Sequence, residues 1–171
     1  MRKVAFFLLM VSFGINVFAL DIKSDAFVNK GYIPDRYTCD AKDFSPDLSW
    51  SGAPADTKSF VIICDDPDAP FGTWVHWVIF NIPGGMNELK ENIGESELSS
   101  LGIIRGKNDF KKLDYCGPCL PKGKPHRYFF KLYALNTTLS LEEGATKKDI
   151  INSMKGHILA EAKIVGLYQR K

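Results

Sequence analysis

Three carboxylates lie close together in residues 65–70, which read D-D-P-D-A-P and follow an apolar stretch. The two prolines of this segment end the preceding strand and stiffen the loop. A stiff acidic loop at the end of a strand can hold a carboxylate beside a ligand. A solvated acidic turn has the same composition, so this segment alone does not decide between a binding role and a surface role.

A histidine occurs in residues 72–77, which read G-T-W-V-H-W. A histidine in such an apolar strand is usually a core residue with one hydrogen bond. In a regular strand, alternation places Trp74, His76 and Val78 on one face. If that face borders a cavity, His76 becomes a hydrogen-bond donor to whatever the cavity holds.

The densest group of polar and special residues is the segment 115–128, which reads Y-C-G-P-C-L-P-K-G-K-P-H-R-Y. Three prolines and two glycines make it a rigid loop, and His126 and Tyr128 open the strand that follows. These side chains are two positions apart and therefore point to the same face. An imidazole and a phenol on one face can donate hydrogen bonds to an anion.

The same segment contains C-G-P-C at residues 116–119, the spacing of a thioredoxin-like redox centre. The first cysteine of such a centre lies at a helix N-terminus, but the prolines that follow here prevent a helix from starting. Cys116, Cys119, His126 and His76 match zinc ligands by residue type, but they lack a second pair at metal-binding spacing. We expect neither thiol oxidoreductase chemistry nor a metal or other cofactor.

Short apolar and β-branched stretches predict that β-strands position these residues. The predicted strands are residues 59–64, 74–82, 127–135 and 160–168, with an edge strand at 47–50. One helix is predicted where Thr146 and Asp149 form a variant of the capping box. The apolar side chains on one face of that helix are Ile150, Ile151, Met154 and Ile158. The sequence thus predicts a mainly β fold, a β-sandwich with one or two short helices and long loops.

The first nineteen residues have the layout of a secretory signal peptide. Arg2 and Lys3 precede an apolar run at residues 4–18, and V-F-A at residues 17–19 suits cleavage after Ala19. The run is shorter than the ~20 apolar residues of a membrane span, so we expect no transmembrane anchor after cleavage. The chain has 22 basic and 20 acidic residues, and loss of Arg2 and Lys3 leaves equal numbers. This balance disfavours a nucleic-acid partner, and we expect a periplasmic or secreted protein.

Several of these segments, taken together and in order, resemble the phosphatidylethanolamine-binding protein family. They are D-P-D-A-P at 66–70, G-x-W-x-H-W at 72–77 and the block at 115–128. The resemblance is closest to the bacterial Raf-kinase-inhibitor-like branch, because three further blocks match that branch. Those blocks are Y-T-C-D at 37–40, the block S-P-x-L-S-W-S-G-A-P at 45–54 and M-K-G-H-I-L-A-E-A at 154–162.

The resemblance implies that residues 20–171 form one domain with a small anion pocket for phosphate-bearing head groups or other small anions. The pocket residues that it implies are Asp66, His76, Gly117, Pro118, His126 and Tyr128, with Asp68 and Trp74 as supporting wall. We expect a binding protein, since no nucleophile is paired with a base. An enzyme that acts on a phosphoester through these histidines and Asp66, or a protease inhibitor, is the alternative.

Four cysteines in an exported protein invite pairing, because the compartment is oxidising. Cys64 ends an apolar strand and is expected to remain a thiol. Cys39 and Cys119 belong to blocks shared with the bacterial branch, so the resemblance implies a disulfide between them. A bridge between Cys116 and Cys119 is the competing arrangement, since connectivity cannot be read from sequence.

Overall fold

A computed structural model describes residues 19–170, so the predicted signal peptide lies outside the described residues except for Ala19. The strands are β1 (Asp21–Lys23), β2 (Leu48–Ser51), β3 (Ser59–Asp66), β4 (Trp74–Pro83), β5 (Glu88–Leu89), β6 (Ile104–Arg105), β7 (His126–Leu135) and β8 (Ile158–Tyr168). The helices are α1 (Glu95–Ser100) and α2 (Lys147–Ser153), with one 3₁₀ turn at Asp35–Tyr37. Within residues 19–170, no helix is long and apolar enough to cross a membrane.

The strands form two antiparallel sheets, which confirms the predicted mainly β fold. The smaller sheet has the order β1-β2-β5, and the larger has the order β6-β4-β3-β7-β8. Strand β3 lies in the middle of the larger sheet, and all eight of its residues are buried. A strand that is covered on both faces needs a continuous apolar run rather than strict alternation, and the run at 60–64 supplies it.

The main core lies between the two sheets, where Trp50 of β2 packs edge-to-face on Phe60 of β3 with ring centroids 5.4 Å apart. A second cluster lies on the opposite face of the larger sheet. There Ile150 and Met154, both fully buried, cover β3 and β4. The larger sheet is therefore covered by the small sheet on one face and by α2 on the other.

The edge strand predicted at residues 47–50 is instead the central strand of the smaller sheet. Leu48–Ser51 pairs with β1 on one side and with β5 on the other. Both neighbours are only two or three residues long. Segments of that length carry no readable periodicity, so the sequence gives no sign that β2 has two neighbours.

Helix α2 begins as predicted, and its predicted apolar face is correct except at its end. The Thr146 side chain accepts the Asp149 backbone N–H, and the Asp149 carboxylate accepts the Thr146 N–H at 2.9 Å. The helix ends at Ser153, and Gly156 follows with φ +79°, a conformation that suits glycine. Ile158 is therefore not on the helix; it is the first residue of β8 and is 44% exposed.

Candidate anion-binding site

A cavity of about 220 Å³ opens where the end of β3 meets the starts of β4 and β7. The antiparallel pairing produces this meeting, because Asp66 is opposite Trp74 and Asp65 is opposite Phe129. The lining residues are Asp66, Ala69, Pro70, Phe71, Trp74, His76, Phe110, Cys119, Leu120, Pro121, His126 and Tyr128. Five of the eight residues predicted for the pocket thus lie together around one cavity.

Asp66 and His126 form the polar pair at the floor of this cavity. His126 Nδ1 lies 2.7 Å from Asp66 Oδ2, and the Asp66 carboxylate is almost completely buried. The other carboxylate oxygen accepts the Asp68 backbone N–H at 2.8 Å. Because a carboxylate accepts and Nδ1 donates, His126 keeps Nε2 for a further partner.

His76 lines the cavity two residues after Trp74, and β4 contains a β-bulge at this residue. Cys64 pairs with Trp77 and Asp65 pairs with Val75, which leaves His76 as the extra residue. The prediction that Trp74, His76 and Val78 share one face is therefore wrong for Val78, which packs in the cluster under α2. A bulge shifts the regular alternation by one residue, so His76 stays on the cavity side with Trp74 while Val78 lies on the opposite face.

The His76 ring is fixed by one strong hydrogen bond to the backbone. Its Nδ1 lies 2.5 Å from the carbonyl oxygen of Cys116, and a carbonyl can only accept, so Nδ1 carries the proton. Burial lowers the pKa of His76, and the bond to Cys116 opposes that effect only in part. The free protein therefore holds a neutral His76 whose Nε2 is available to the cavity.

Tyr128 completes the polar part of the wall. The residue is 1% exposed, and burial together with the negative charge of Asp66 raises the pKa of its phenol. The hydroxyl thus stays protonated and can donate a hydrogen bond. Its ring meets His76 edge-to-face with centroids 5.1 Å apart, and His76 meets Phe110 in the same way at 5.3 Å.

The rim of the cavity is apolar and partly open to solvent. Phe71 is 100% exposed, and Trp74 and Phe110 are 37% and 36% exposed, with their rings edge-to-face at 5.5 Å. Leu120 and Pro121 face them from the loop before β7. We call Phe71, Trp74, Phe110, Leu120 and Pro121 the rim. Of the rim residues, Trp74 alone was predicted from the sequence, although Phe71 directly follows the D-P-D-A-P block.

Gly117 and Pro118 do not line this cavity. The Gly117 N–H donates to Asp43 Oδ1 at 2.7 Å, and the Pro118 carbonyl accepts the Cys39 N–H at 3.1 Å. A Cβ atom on Gly117 would lie 2.2 Å from the carbonyl oxygen of Tyr37. Only glycine permits this close approach, so both residues join the wall loop to the segment around Cys39.

Asp68 also lies outside the cavity lining. Its carboxylate accepts Arg127 Nε at 2.8 Å and Nη2 at 2.6 Å, and the Arg127 backbone N–H at 3.0 Å. The hydrogen bonds from the guanidinium of Arg127 lower the pKa of Asp68. Asp68 therefore ties the acidic loop to the start of β7 on the outside of the site.

The structure joins Cys39 and Cys119 by a disulfide, with Cα atoms 5.3 Å apart. This distance lies in the ordinary range for a disulfide. Cys116 and Cys64 are buried thiols, and burial raises the pKa of both. The two cysteines of the C-G-P-C segment are therefore not paired with each other. Within the described part of the chain, no three His, Cys, Asp or Glu side chains are grouped to hold a metal ion.

Sequence comparison finds close relatives over nearly the whole described region. Residues 23–169 match the family model of phosphatidylethanolamine-binding proteins. A UPF0098 protein of Methanothermobacter thermautotrophicus is 52% identical over 151 residues, which cover 88% of this chain and 99% of the relative. A UPF0098 protein of Aquifex aeolicus is 49% identical over 153 residues, which cover 88% of this chain and 89% of the relative.

Two solved structures share the fold. A homologue of phosphatidylethanolamine-binding proteins from Chlamydia trachomatis superposes with a TM-score of 0.82 at 37% identity, covering 90% of this chain and 99% of that one. YbcL of E. coli, described as a new member of the mammalian family, superposes with a TM-score of 0.83 at 31% identity. That match covers 90% of this chain and 100% of YbcL.

Proposed function

Because this chain belongs to the phosphatidylethanolamine-binding protein family, we propose that it is an exported binding protein whose cavity holds a phosphate-bearing or other small anionic ligand. One observation carries the proposal. His76 and His126 both use Nδ1 on a fixed acceptor, the Cys116 carbonyl and the Asp66 carboxylate. Each ring therefore keeps Nε2 for the same cavity, beside the Tyr128 hydroxyl.

The Asp66 carboxylate gives the floor of the cavity a negative charge, which favours a ligand that carries little negative charge itself. A dianion close to Asp66 would be repelled unless a histidine carries a proton. A singly charged phosphate or phosphoester can instead accept from Tyr128, and its own hydroxyl can donate to a carboxylate oxygen or to the Nε2 of an imidazole whose proton is on Nδ1. The ligand that fits best is thus a monoanion, or an anion that binds together with a proton.

The rim favours a ligand with an apolar part beyond the anion. Inorganic phosphate would fill the polar floor and leave Phe71, Trp74 and Phe110 exposed. A phosphoester with an apolar substituent would cover these rings and gain the free energy of removing apolar surface from water. We therefore propose a phosphoester class of ligand rather than phosphate alone.

Calorimetric titration of the purified protein tests the anion site. The probes are inorganic phosphate, phosphoethanolamine and phenyl phosphate. His126→Ala should weaken binding of each probe by about 1.5–3 kcal/mol, the range for a hydrogen bond to a charged group. The matched control is His157→Ala, because His157 lies outside the cavity and bonds Asn136 at 2.9 Å.

Two outcomes of these measurements would contradict the proposal. One is unchanged affinity for all three probes in both His126→Ala and His76→Ala. The other is release of phenol from phenyl phosphate by the wild type and not by His126→Ala, which would indicate the enzyme alternative instead of simple binding.

Export rests on residues 2–19 and on the disulfide between Cys39 and Cys119. A disulfide is stable in an oxidising compartment and rare in the cytosol of most organisms. Mass spectrometry of the protein from a secreting host should give an N-terminus at Leu20. Intact residues 1–19 on periplasmic or secreted protein would overturn this part of the proposal.

A further inference from the structure

Around the bulge at His76, β4 has backbone groups that the sheet does not pair, and the buried Asn108 and its partly buried neighbour Asp109 meet them. The Val75 N–H donates to Asp109 Oδ2 at 2.7 Å, and the Asp109 N–H donates to the Val75 carbonyl at 3.0 Å. Asn108 Nδ2 donates to the His76 carbonyl at 3.2 Å. Asn108 and Asp109 therefore replace the missing strand neighbour at the bulge, as buried polar backbone requires.

The Asn108 side chain is only 2% exposed and is fully engaged. Its Nδ2 also donates to the carbonyl of Asp114 at 2.9 Å and lies 3.5 Å from Cys116 Sγ. Its Oδ1 accepts the Lys112 N–H at 2.9 Å. One amide thus holds together the bulge and the segment from Lys112 to Cys116.

His76 and Cys116 are joined in both directions across this loop. The Cys116 N–H donates to the His76 carbonyl at 3.1 Å, and His76 Nδ1 donates to the Cys116 carbonyl at 2.5 Å. Asn108 donates to that same His76 carbonyl and contacts the same cysteine. A shift of either segment would lengthen the bond that decides which nitrogen of His76 carries the proton.

We infer that Asn108 is a positioning residue for the anion site, which fixes the His76 ring with its proton on Nδ1 and Nε2 toward the cavity. This inference rests on the proposed function for its effect on binding. Its effect on the His76 ring does not depend on that function. Asn108 does not line the cavity, so it acts only through His76 and Cys116.

Nitrogen-detected NMR of the imidazole rings tests this inference in the free protein, above the pH at which His76 is protonated. The wild type should show His76 with the proton on Nδ1. Asn108→Ala and Asn108→Asp both remove the donor, and both should show a mixture of the two tautomers. Phosphate affinity measured by calorimetry should fall about tenfold in both variants, as for the loss of one hydrogen bond to a bound anion.

Asn81→Ala is the matched control. Asn81 of β4 is another asparagine that clamps a loop. Its Nδ2 donates to the Leu139 carbonyl at 3.0 Å, and its Oδ1 accepts the Leu139 N–H at 2.8 Å. It lies at the other end of the strand, so its loss should leave the His76 signals and the phosphate affinity unchanged. Asn108→Asp keeps the side-chain volume and serves if Asn108→Ala does not fold.

Three results would overturn the inference. The wild type could show His76 with its proton on Nε2, and this result alone would overturn the inference without any variant. Folded Asn108→Asp could keep the wild-type tautomer. Asn81→Ala could disturb the His76 signals as strongly as the Asn108 variants do, which would indicate a general loosening of the strand. If the wild type binds none of the three phosphate probes, the proposed function fails while the tautomer measurement still decides the role of Asn108.

Discussion

Asp65 and Asp66 are neighbours in the chain with nearly equal burial, 0% and 3% exposed, yet they lie on opposite faces of the larger sheet. Asp65 Oδ2 accepts Lys131 Nζ at 2.8 Å and Lys147 Nζ at 2.5 Å. Asp66 instead pairs with His126 and lies beside the Tyr128 phenol. Strand alternation alone causes this separation.

The two environments show how the same residue type serves structure on one face and binding on the other. Asp65 meets the ammonium groups of two lysines, and one of them, Lys147, begins α2, so the ion pair holds the helix on the sheet. Asp66 orients the His126 ring, and it borders an open cavity. A buried carboxylate that two lysines hold away from the cavity is structural, whereas one that orients a histidine at a cavity marks a candidate site.

The largest expected effect concerns the loops on the Asp66 face, which the disulfide ties together. The bridge spans a sequence separation of 80 residues. In the chain-entropy model, Cys39→Ala with Cys119→Ala should lower the free energy of unfolding by about 4 kcal/mol. Urea unfolding without reductant measures it. Reductant should leave the double variant unchanged, and a loss far smaller than this would contradict the bridge.

The next effect concerns the Asp65 face. Lys131→Met with Lys147→Met leaves a fully buried carboxylate without a cation, and should lower the free energy of unfolding by about 3 kcal/mol. Phosphate affinity of the folded variant should not change, because neither lysine lines the cavity. His126→Ala is the opposite case for binding, because it should weaken phosphate binding; it also removes the partner of the buried Asp66 carboxylate and should therefore lower stability as well. If the double lysine variant weakened phosphate binding as much as His126→Ala does, the proposed difference between Asp65 and Asp66 would be contradicted.

The sequence predicts the long elements of this fold well and the short ones poorly. Strands β3, β4 and β7 are apolar runs of eight to ten residues, and such runs are readable. Strands β5 and β6 have two residues each, and the pairing of distant segments forms them rather than local propensity. The β-bulge at His76 could not be predicted from the sequence either, because one extra residue leaves the composition of β4 unchanged.

The candidate site divides in the same way. Its polar floor could be predicted, because Asp66, His76, His126 and Tyr128 lie in motif blocks that the resemblance identifies. The contribution of Asn108 could not, since a buried asparagine acquires its role from the loop that surrounds it. Phe71 lies beside a recognisable block, but its full exposure follows only from the three-dimensional course of the turn.

A smaller effect concerns the proton on His76. Burial holds the pKa of His76 below its usual 6.5 in the folded protein. As the pH falls below about 6.5, the unfolded chain takes up a proton that folded His76 does not, so stability declines toward acid.

A bound anion at Nε2 should raise the pKa of His76, and phosphate should bind with uptake of a proton. NMR titration of His76 with and without phosphate measures the shift. If phosphate does not raise the pKa of His76, the anion binds away from this residue. As a control, addition of phosphate should not change the signals of His157.

The smallest effect distinguishes the rim from the floor. Phe71 is fully exposed, so Phe71→Ala should leave stability and inorganic phosphate binding unchanged. It should weaken phenyl phosphate by about 1 kcal/mol, the range for one aromatic contact. Val28→Ala is the control, because Val28 is also exposed, at 76%, and does not line the cavity. Calorimetry with both probes gives the comparison. Equal losses for phosphate and phenyl phosphate would mean that Phe71 acts on the floor, and no loss for either would remove the rim from the ligand contact surface.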